Sequence, residues 1–498
     1  MGGLAKIASV VKATPCAALL DGGNLLFPSE SWPDAEEDQH RLKAELLARA
    51  YRHMGVIALN FARVEASRSP VLRSLQEKAA MPWVSANVRP LNEVRAPVVA
   101  QSFMRKVGGI RFGLTGAVLP ETVTATDSVT VLEHGPAVAN EVRVLRQDGA
   151  EVVIVLGQMG RSAAEILADV VPDIDVIIYG PGSELDEPLE PPTRVGRSIL
   201  VEAGTEGRYL GQLVFRLEPA GLEPGGPGAD PLRLLDADRA GRLDRKREAL
   251  RAEWEGLRRS GAPEEVLEAR KQRLDDLERR ATAASTGSND GSEPFRPSVE
   301  IDRIAIGANQ PEDPLVRAWM NRYDQQLARL NIGAVAAEVC EVSGEDRAHY
   351  VGNDGCLGCH PEASKFWLRT AHAEAWATLE RHGKTFDLTC VGCHTVGFRE
   401  PGGWCRFSEL GGFRNVGCES CHGPGSRHVQ MGAAIDRADD PESCTGVCHV
   451  PKHSDRFEWA TYRAAVVGPG HGIDIRRANR VDGWKRRVPP LGEQESRR

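Results

Sequence analysis

Short apolar runs closed by glycine alternate with amphipathic stretches over the first 217 residues of the chain. The apolar runs are rich in Val, Ile and Leu, which favours buried β-strands. The stretches between them repeat apolar residues at helical spacing, as in KIASVVKA and AELLARAYRHMG. The strand candidates are AALLDGG, VIALNF, WVSANV, IRFGLTGAV, EVVIVLGQMG and IDVIIYGPG. This alternation predicts an α/β fold of layered sheet and helices over residues 1–218.

The pattern changes beyond this point. A Pro- and Gly-rich linker opens the range 219–298, and a highly charged segment at 240–280 then keeps leucines at helical spacing. This spacing predicts an antiparallel helical hairpin with a narrow apolar seam. The alternative is an arm that docks a partner protein. A strand and a helix are predicted to follow over 299–345.

The charge balance argues against one class of partner. The 498 residues include 62 Lys and Arg against 70 Asp and Glu, a net charge of −8. A mildly acidic chain argues against nucleic acid as the main partner. No stretch approaches the roughly 18 apolar residues of a membrane helix. The length of the chain predicts two or three domains.

Four short strings near the C-terminus carry the candidate chemistry: CLGCH, CVGCH, CESCH and CTGVCH. A Cys-x-x-Cys-His string is the attachment signal for c-type haem. The two intervening residues form one turn that brings both sulfurs to the same porphyrin edge, and the next His lies under the iron as proximal ligand. The attachment residues are Cys356, Cys359, Cys390, Cys393, Cys418, Cys421, Cys444 and Cys448, and the proximal ligands are His360, His394, His422 and His449. We therefore predict four covalently attached haem c groups.

Zinc is the alternative for paired Cys and His. A zinc site does not need a His directly after the second Cys, whereas that His is present in all four strings. The fourth string has three intervening residues, a known variant of the haem signal. The remaining cysteines, Cys16, Cys340 and Cys405, are too far apart in sequence to suggest a disulfide framework.

Histidine is enriched around the strings. Six further histidines lie in or beside this region, against three in the first 345 residues. Haem iron takes a sixth ligand, for which His is the prime candidate, although any single His is as readily a surface residue. The six are His349, His372, His382, His428, His453 and His471. Apolar side chains are sparse over 346–480, so we expect porphyrin faces to fill the centre of a mostly α domain there, followed by a frayed tail over 481–498.

Residues 350–471 resemble the tetrahaem cytochromes c that carry electrons from hydroxylamine oxidation. The matching stretches are CLGCH…FWLRTAHAEAWATL, CVGCHTVGF…GGW and VGCESCHGPGSRH. The resemblance implies electron transfer as the function and distal haem ligation by His372, His428 and His471. It also implies that the haem on His394 has an open sixth position.

The first 217 residues resemble the metallophosphoesterase domain of 5'-nucleotidases. The matching stretches are ALLDGGNLLF, IALNF, VSANV, VIVLGQMG, IDVIIYGPGS and EAGTEGRYLGQLVF. Active members hold two metal ions at the strand ends with Asp, Asn and His, and a metal-bound water attacks phosphate. Positions that carry metal ligands in active members read Asn24, Phe61, Gln158, Pro181 and Ser183 here. Asp21 and Asn60 alone cannot hold two metals, so the resemblance implies a catalytically silent domain.

The N-terminus bears on the location of the protein. It lacks the apolar core and cleavage site of a signal peptide, and the first strand of the phosphoesterase domain, with its Asp-x-His, is absent. Haem attachment of this type takes place on the outer side of the bacterial inner membrane. We therefore expect Met1 to be internal to the natural protein and expect a periplasmic location.

Together these patterns predict a periplasmic multihaem cytochrome c that transfers electrons. Its expected partners are redox proteins, with a membrane-associated electron-transfer chain as a further candidate and no nucleic acid. Two enzymatic alternatives stay open: an oxidoreductase that acts on a small nitrogen or oxygen species at an open His394 haem, and a metal-dependent phosphoesterase. The donor, the acceptor and the oligomeric state stay undetermined.

Overall fold

The computed structural model describes most of the chain. The described residues are 3–14, 17–78, 81–91, 97–123, 126, 128–180, 190–204, 207–217, 232–235, scattered positions between 251 and 275, 298–307, 309–336, 340–342, 347–407, 411–435, 442–450, 454 and 457–468. The chain divides into two compact units. The first, here called the sheet unit, comprises Met1–Glu30, Leu47–Ser183 and Pro188–Arg317, and the second, the helical unit, comprises Ser31–Leu46, Glu184–Glu187 and Ala318–Arg498.

The described strands belong to the sheet unit. They are β1 (Leu19–Asp21), β2 (Val56–Asn60), β3 (Trp83–Val84), β4 (Val88–Pro90), β5 (Ser102–Val107), β6 (Ile110–Val118), β7 (Val129–Val131), β8 (Val152–Gln158), β9 (Val176–Tyr179), β10 (Thr193–Val195), β11 (Ser198–Glu202), β12 (Tyr209–Arg216), β13 (Arg233–Leu235) and β14 (Ser298–Ala305). A six-stranded sheet has the order β10-β11-β9-β8-β6-β5, parallel except at its two outer strands. Two three-stranded sheets, β1-β2-β3 and β12-β14-β13, and the pair β4-β7 accompany it.

Helices occur in both units. The sheet unit contains α1 (Leu4–Ala13), α3 (Arg63–Ser67), α4 (Ser69–Lys78), α5 (His134–Gln147) and α6 (Arg161–Val170), while α2 (Glu37–His53) and α7 (Pro314–Ala336) have residues in both units. The helical unit contains α8 (Asp354–Leu357), α9 (Pro361–Trp367), α10 (Ala375–His382), α11 (Leu388–His394), α12 (Glu419–His422), α13 (Ser426–Met431), α14 (Glu442–Thr445) and α15 (Trp459–Val466). The helices α8 to α15 are all shorter than three turns.

The core of the sheet unit explains its uninterrupted apolar strands. Strand β8 lies between β6 and β9, and its residues Val152 to Leu156 are buried. A strand that is covered on both faces is apolar along its whole length. Val142 of α5 and Leu167 of α6 pack against one face of the six-stranded sheet. The opposite face packs against β2, β3 and β14, so the unit is a layered α/β structure.

The helical unit has a small apolar core. Its buried side chains come from α10, α11 and the loop after the second Cys-His string, and they are Trp376, Leu379, Leu388, Val391 and Trp404. Phe398 stacks on Trp404, with ring centres 5.3 Å apart. Cys390 of the second string packs against this core. In the fourth string, His449 contacts the rings of Phe457 and Tyr462, with ring centres 4.8 and 5.3 Å apart.

The structure confirms the α/β prediction for the first 217 residues and differs from it in detail. The run WVSANV is divided into β3 and β4, because the buried amide of Asn87 interrupts the strand and donates to Val118 O and Leu132 O, both at 2.8 Å. Strand β5 has only partly buried side chains, so its apolar pattern was too weak to predict. The predicted hairpin at 240–280 falls mostly outside the described residues, as do the linker and the tail.

Candidate haem-binding site

Each Cys-His string lies on a short helical turn. Helix α8 carries Cys356, α11 carries all of the second string, α12 follows Cys418, and α14 carries Cys444. In a helix, residues three positions apart share a face, so the turn directs both cysteines of a string to one side. The second string has the best-defined turn: Asp387 is the N-cap of α11 and its carboxylate accepts from Thr389 N at 3.2 Å.

The cysteine thiols approach one another between strings. Cys356 of the first string and Cys418 of the third lie within hydrogen-bonding distance of each other. Cys393 of the second string and Cys448 of the fourth do the same. The attachment points are therefore paired, first with third and second with fourth.

Hydrogen bonds at Nδ1 determine the tautomer of several histidines. The Nδ1 atom of His394 lies 2.6 Å from Ala375 O, and that of His428 lies 2.8 Å from Ala433 O. A carbonyl oxygen only accepts, so Nδ1 must donate in both rings, and the lone pair of Nε2 is left for a metal. In the fourth string, His449 Nδ1 lies 2.9 Å from Ser454 Oγ.

Two pairs of imidazole rings have the separation of ligands that share one metal ion. The ring centres of His360 and His428 are 6.0 Å apart, with the ring planes 25° apart. The ring centres of His372 and His449 are 6.1 Å apart. A metal-to-imidazole nitrogen bond of about 2 Å, with about 1.1 Å from nitrogen to ring centre, puts two opposite ligand rings about 6 Å apart. The residues present thus fit an iron held between two histidines.

The His372–His449 pair is suited to metal binding in its protonation state as well. Burial, and to a smaller extent the neighbouring His449, together lower the pKa of His372 to about 4. Burial also lowers the pKa of His449. Both rings are therefore neutral at pH 7, the form in which imidazole binds a metal.

The structure gives fewer contacts for the other histidines in and beside the strings. His422 ends α12 and His382 ends α10. His349 Nδ1 lies 3.2 Å from Arg347 O. The remaining two, His453 and the predicted distal ligand His471, lie outside the described residues.

A disulfide lies close to the second string, contrary to the expectation from sequence. Cys340 and Cys405 are bonded, with Cα atoms 5.8 Å apart across a sequence separation of 65. The expectation that the outlying cysteines form no disulfide framework was wrong for this pair, since the chain folds back: Gly402 N donates to Cys340 O at 3.2 Å. The third outlying cysteine, Cys16, lies outside the described residues.

The strand ends of the sheet unit carry the residues compared with phosphoesterase metal ligands. Asp21 accepts from Tyr51 Oη and from Gly23 N, both at 2.9 Å. Burial raises the pKa of Asp21, and these two hydrogen bonds oppose that rise. Asn60 Nδ2 donates to Gly22 O and Ala117 O, at 3.1 and 3.0 Å. The Asp21 carboxylate and the Asn60 amide nitrogen are thus engaged by the protein itself, whereas the buried Asn60 Oδ1 and Gln158 Oε1 have no hydrogen-bond partner among the described residues.

The residue that follows Asn60 is packed in the apolar core. Phe61, at a position that the sequence resemblance compares with a metal-binding His, is fully buried and contacts Trp83 edge-on at 5.7 Å between ring centres. Asn24 has the left-handed backbone conformation, φ 56°, and its Oδ1 accepts from Val64 N at 3.0 Å. Within the described part of the chain, no group of three or more His, Cys, Asp or Glu is placed to hold a metal ion.

Glu65 is a feature of this region that the sequence did not indicate. Its buried carboxylate accepts from the backbone amides of Asn24, Leu25 and Leu26. Burial raises the pKa of Glu65 to about 7, against the effect of these amides. No spacing rule connects a Glu with a turn some 40 residues earlier in the chain, so only the fold reveals the contact.

Sequence comparison bears on the strings directly. Residues 355–423 match the family model of cytochrome c554 and c-prime. This cytochrome c554-like segment contains the first three strings and ends just after His422. Cytochrome c-554 of Nitrosomonas europaea is 34% identical over 110 residues, which cover 18% of this chain and 47% of that protein. The chain therefore spans about half the length of this relative.

Comparison of structures finds phosphoesterase folds. The 5'-nucleotidase precursor of Thermus thermophilus is 17% identical with a TM-score of 0.43, over 76% of this chain and 62% of that one. The calcineurin-like phosphoesterase YfkN of Bacillus subtilis is 16% identical with a TM-score of 0.41, over 65% of this chain and 89% of that one.

Among the described residues, no helix has both the length and the apolar character to cross a membrane.

Proposed function

We propose that the helical unit binds four haem c groups and that the protein carries electrons through them. The observation that carries this proposal is the separation of 6.0 and 6.1 Å between paired imidazole rings beside the attachment strings. Each pair joins a His from a string to a His from elsewhere in the unit. The match of the cytochrome c554-like segment supports the same conclusion for a c-type cytochrome.

We infer the ligands of two haems from the ring pairs. His360 and His428 would hold the iron of the first string, and His449 and His372 that of the fourth. His422 would be the proximal ligand of the third haem with His471 as its partner, and His394 that of the second. The eight string cysteines would attach the porphyrins by thioether bonds.

The protein side chains then set the redox properties. Bound haem supplies one-electron chemistry. Ala375 O and Ala433 O hold His394 and His428 in the tautomer that binds through Nε2, which makes each imidazole a stronger ligand. The thiol contacts Cys356–Cys418 and Cys393–Cys448 place the attachment points in two pairs, so electrons would pass within a pair in one short step.

The proposed location and partners follow from this chemistry. A c-type cytochrome that receives its haem outside the bacterial inner membrane would work in the periplasm, between a redox protein that donates electrons and one that accepts them. A membrane-associated chain is a candidate for either role.

We also propose that the sheet unit has no phosphoesterase activity. The Asp21 carboxylate is bound to Tyr51 and the Asn60 amide nitrogen to main-chain groups, and Phe61 packs on Trp83 where a ligand would be required. Two hard divalent ions need several oxygen or imidazole ligands. Hydrolysis of an aryl phosphate with added manganese by the purified protein would contradict this part of the proposal.

The test of the main proposal is a haem count on exported protein. A pyridine haemochrome assay and an intact mass should give four haems per chain, and absorption and spin-resonance spectra should show low-spin, bis-histidine iron for the first, third and fourth haems. A high-spin signal that shifts with nitric oxide would identify an open haem and favour the oxidoreductase alternative. Colourless protein that retains zinc would overturn the proposal.

A further inference from the structure

Glu419 is a buried acid inside the third haem string, CESCH. Its exposed fraction is 1%. Glutamate is almost never this buried unless it has partners, because removing a carboxylate from water is costly. Its position between Cys418 and Cys421 places it in the attachment loop itself.

The partners of Glu419 are main-chain amides from two other segments. Val351 N donates to both carboxylate oxygens, at 3.0 and 3.1 Å, and Gly352 N donates at 2.8 Å. Gly425 N donates at 2.7 Å. The first two amides precede the first string, and Gly425 precedes α13, which carries His428. One side chain therefore connects the third string, the first string and the segment of the proposed first-haem distal ligand.

Asn353 makes a second connection between the same strings. Its Oδ1 accepts from Cys418 N at 3.1 Å, and its Nδ2 donates to Arg414 O at 3.1 Å. Gly417 is required here, because a Cβ at that position would overlap Asn353 Oδ1. Glu419 and Asn353 thus connect the first and third strings by hydrogen bonds, beside the contact of Cys356 with Cys418.

We propose that Glu419 is a positioning residue that holds the first and third haems in register, and that its buried negative charge lowers the reduction potential of the third haem. This inference rests on the proposed haem function. Oxidised iron carries one more positive charge than reduced iron, so a fixed negative charge nearby stabilises the oxidised state. The effect is large where water is excluded, as it is around this carboxylate.

The test compares three variants of the full-length, haem-loaded protein. Glu419→Gln removes the charge, Glu419→Asp keeps the charge on a shorter side chain, and Glu362→Gln is the control. Glu362 lies two residues after His360 of the first string and is exposed. The readouts are the midpoint potentials from an optical redox titration and the haem content of each string from the masses of proteolytic haem peptides.

We expect Glu419→Gln to raise one midpoint potential, Glu419→Asp to raise it less, and Glu362→Gln to leave all of them unchanged. In a Cys418→Ser, Cys421→Ser background, which lacks the third haem, the upward shift should disappear. If Glu419→Gln loses haem from the first and third strings only, the positioning role is supported. The effect on the midpoint potential is then measured with Glu419→Asp.

Two results would overturn the inference. One is a fully loaded Glu419→Gln protein with unchanged potentials. The other is an equal shift in Glu419→Asp and Glu419→Gln, because the retained charge would then have no effect. A wild-type protein without haem would instead overturn the proposed function, so the two failures are distinguishable.

Discussion

At His428, one hydrogen bond decides which ring nitrogen is left for a metal. Ala433 O accepts from Nδ1, and the ring centre lies 6.0 Å from that of His360. The resemblance to tetrahaem cytochromes indicated His428 as a distal ligand but did not pair it with a haem. That pairing needed the fold, since the two histidines are 68 positions apart in the sequence. The Nδ1 partner could not be predicted either, because any main-chain carbonyl can accept.

Replacing His428 tests the proposed first haem. In the loaded protein, His428→Ala should leave His360 as the only protein ligand on that iron, which becomes five-coordinate and high-spin. About a third of the low-spin signal should be lost, since one of the three haems with two proposed histidine ligands is affected. His382→Ala, at an exposed helix end, is the control and should leave the spectrum unchanged. A fully low-spin His428→Ala protein would contradict the assignment.

Glu65 predicts a pH dependence in the sheet unit. Its pKa is raised from 4.5 to about 7 by burial, so the folded state binds this proton more tightly than the unfolded state. The contribution to the free energy of unfolding is therefore full below about pH 4.5 and is lost as the pH rises towards 7. A shift of this size is worth at most about 3 kcal/mol. Denaturant unfolding of the full chain between pH 4.5 and 8 measures it.

The matched variants are Glu65→Gln and Glu121→Gln. Glu65→Gln cannot ionise, so the fall in stability between pH 4.5 and 7 should become shallower. Glu121 is exposed, and its replacement should leave the pH profile as in the wild type. Equal slopes in the wild type and in Glu65→Gln would show that this carboxyl does not titrate between the two states.

At the scale of the element, helix α11 shows how a haem string is held. Gln39 Oε1, on α2, accepts from Leu388 N at 3.0 Å and from Asn331 Nδ2 at 2.7 Å. Gln39 Nε2 donates to Asp387 Oδ1 at 3.2 Å. The first turn of the second string is therefore fixed by two helices that are distant in sequence, and both amide side chains are buried.

Removing this network should destabilise the helical unit. Gln39→Leu leaves Leu388 N and Asn331 Nδ2 without this acceptor, at a cost of about 1–3 kcal/mol. Thermal unfolding followed at the haem absorption of the loaded protein measures the loss. Gln326→Leu, exposed on α7, is the matched control. If both variants melt at the same temperature as the wild type, the network makes no net contribution.

For the whole molecule, the sequence predicted the layered α/β fold and the mostly α region that carries the Cys-His strings, but not the long-range contacts that hold them. Strand β8 was evident because parallel neighbours make it apolar throughout, and α7 because its apolar stripe is long. The haem strings were evident because attachment requires fixed spacing. The contributions of Gln39, Asn331, Glu419 and the Cys340–Cys405 bond were not, since each depends on a distant segment of the fold.

The disulfide should stabilise the molecule as a whole. It closes a loop with a sequence separation of 65, for which the chain-entropy model gives about 4 kcal/mol. Iron bound between distant histidines would already restrict the unfolded chain, so a Cys340→Ser, Cys405→Ser protein should lose less than this when loaded with haem. Urea unfolding of the loaded protein and its variant gives the difference. A gain in stability on removal of the bond would contradict the prediction.

The close approach of thiols from different strings has a consequence for biosynthesis. Cys356 lies within hydrogen-bonding distance of Cys418, and Cys393 of Cys448, in a chain that also forms the Cys340–Cys405 disulfide. In an oxidising compartment, a newly exported chain that collapsed too early would cross-link these neighbours and block its own attachment points. If the strings bind haem as proposed, maturation would have to keep their sulfurs reduced while Cys340 and Cys405 are oxidised, so the timing of porphyrin delivery relative to chain collapse would affect the yield of loaded protein.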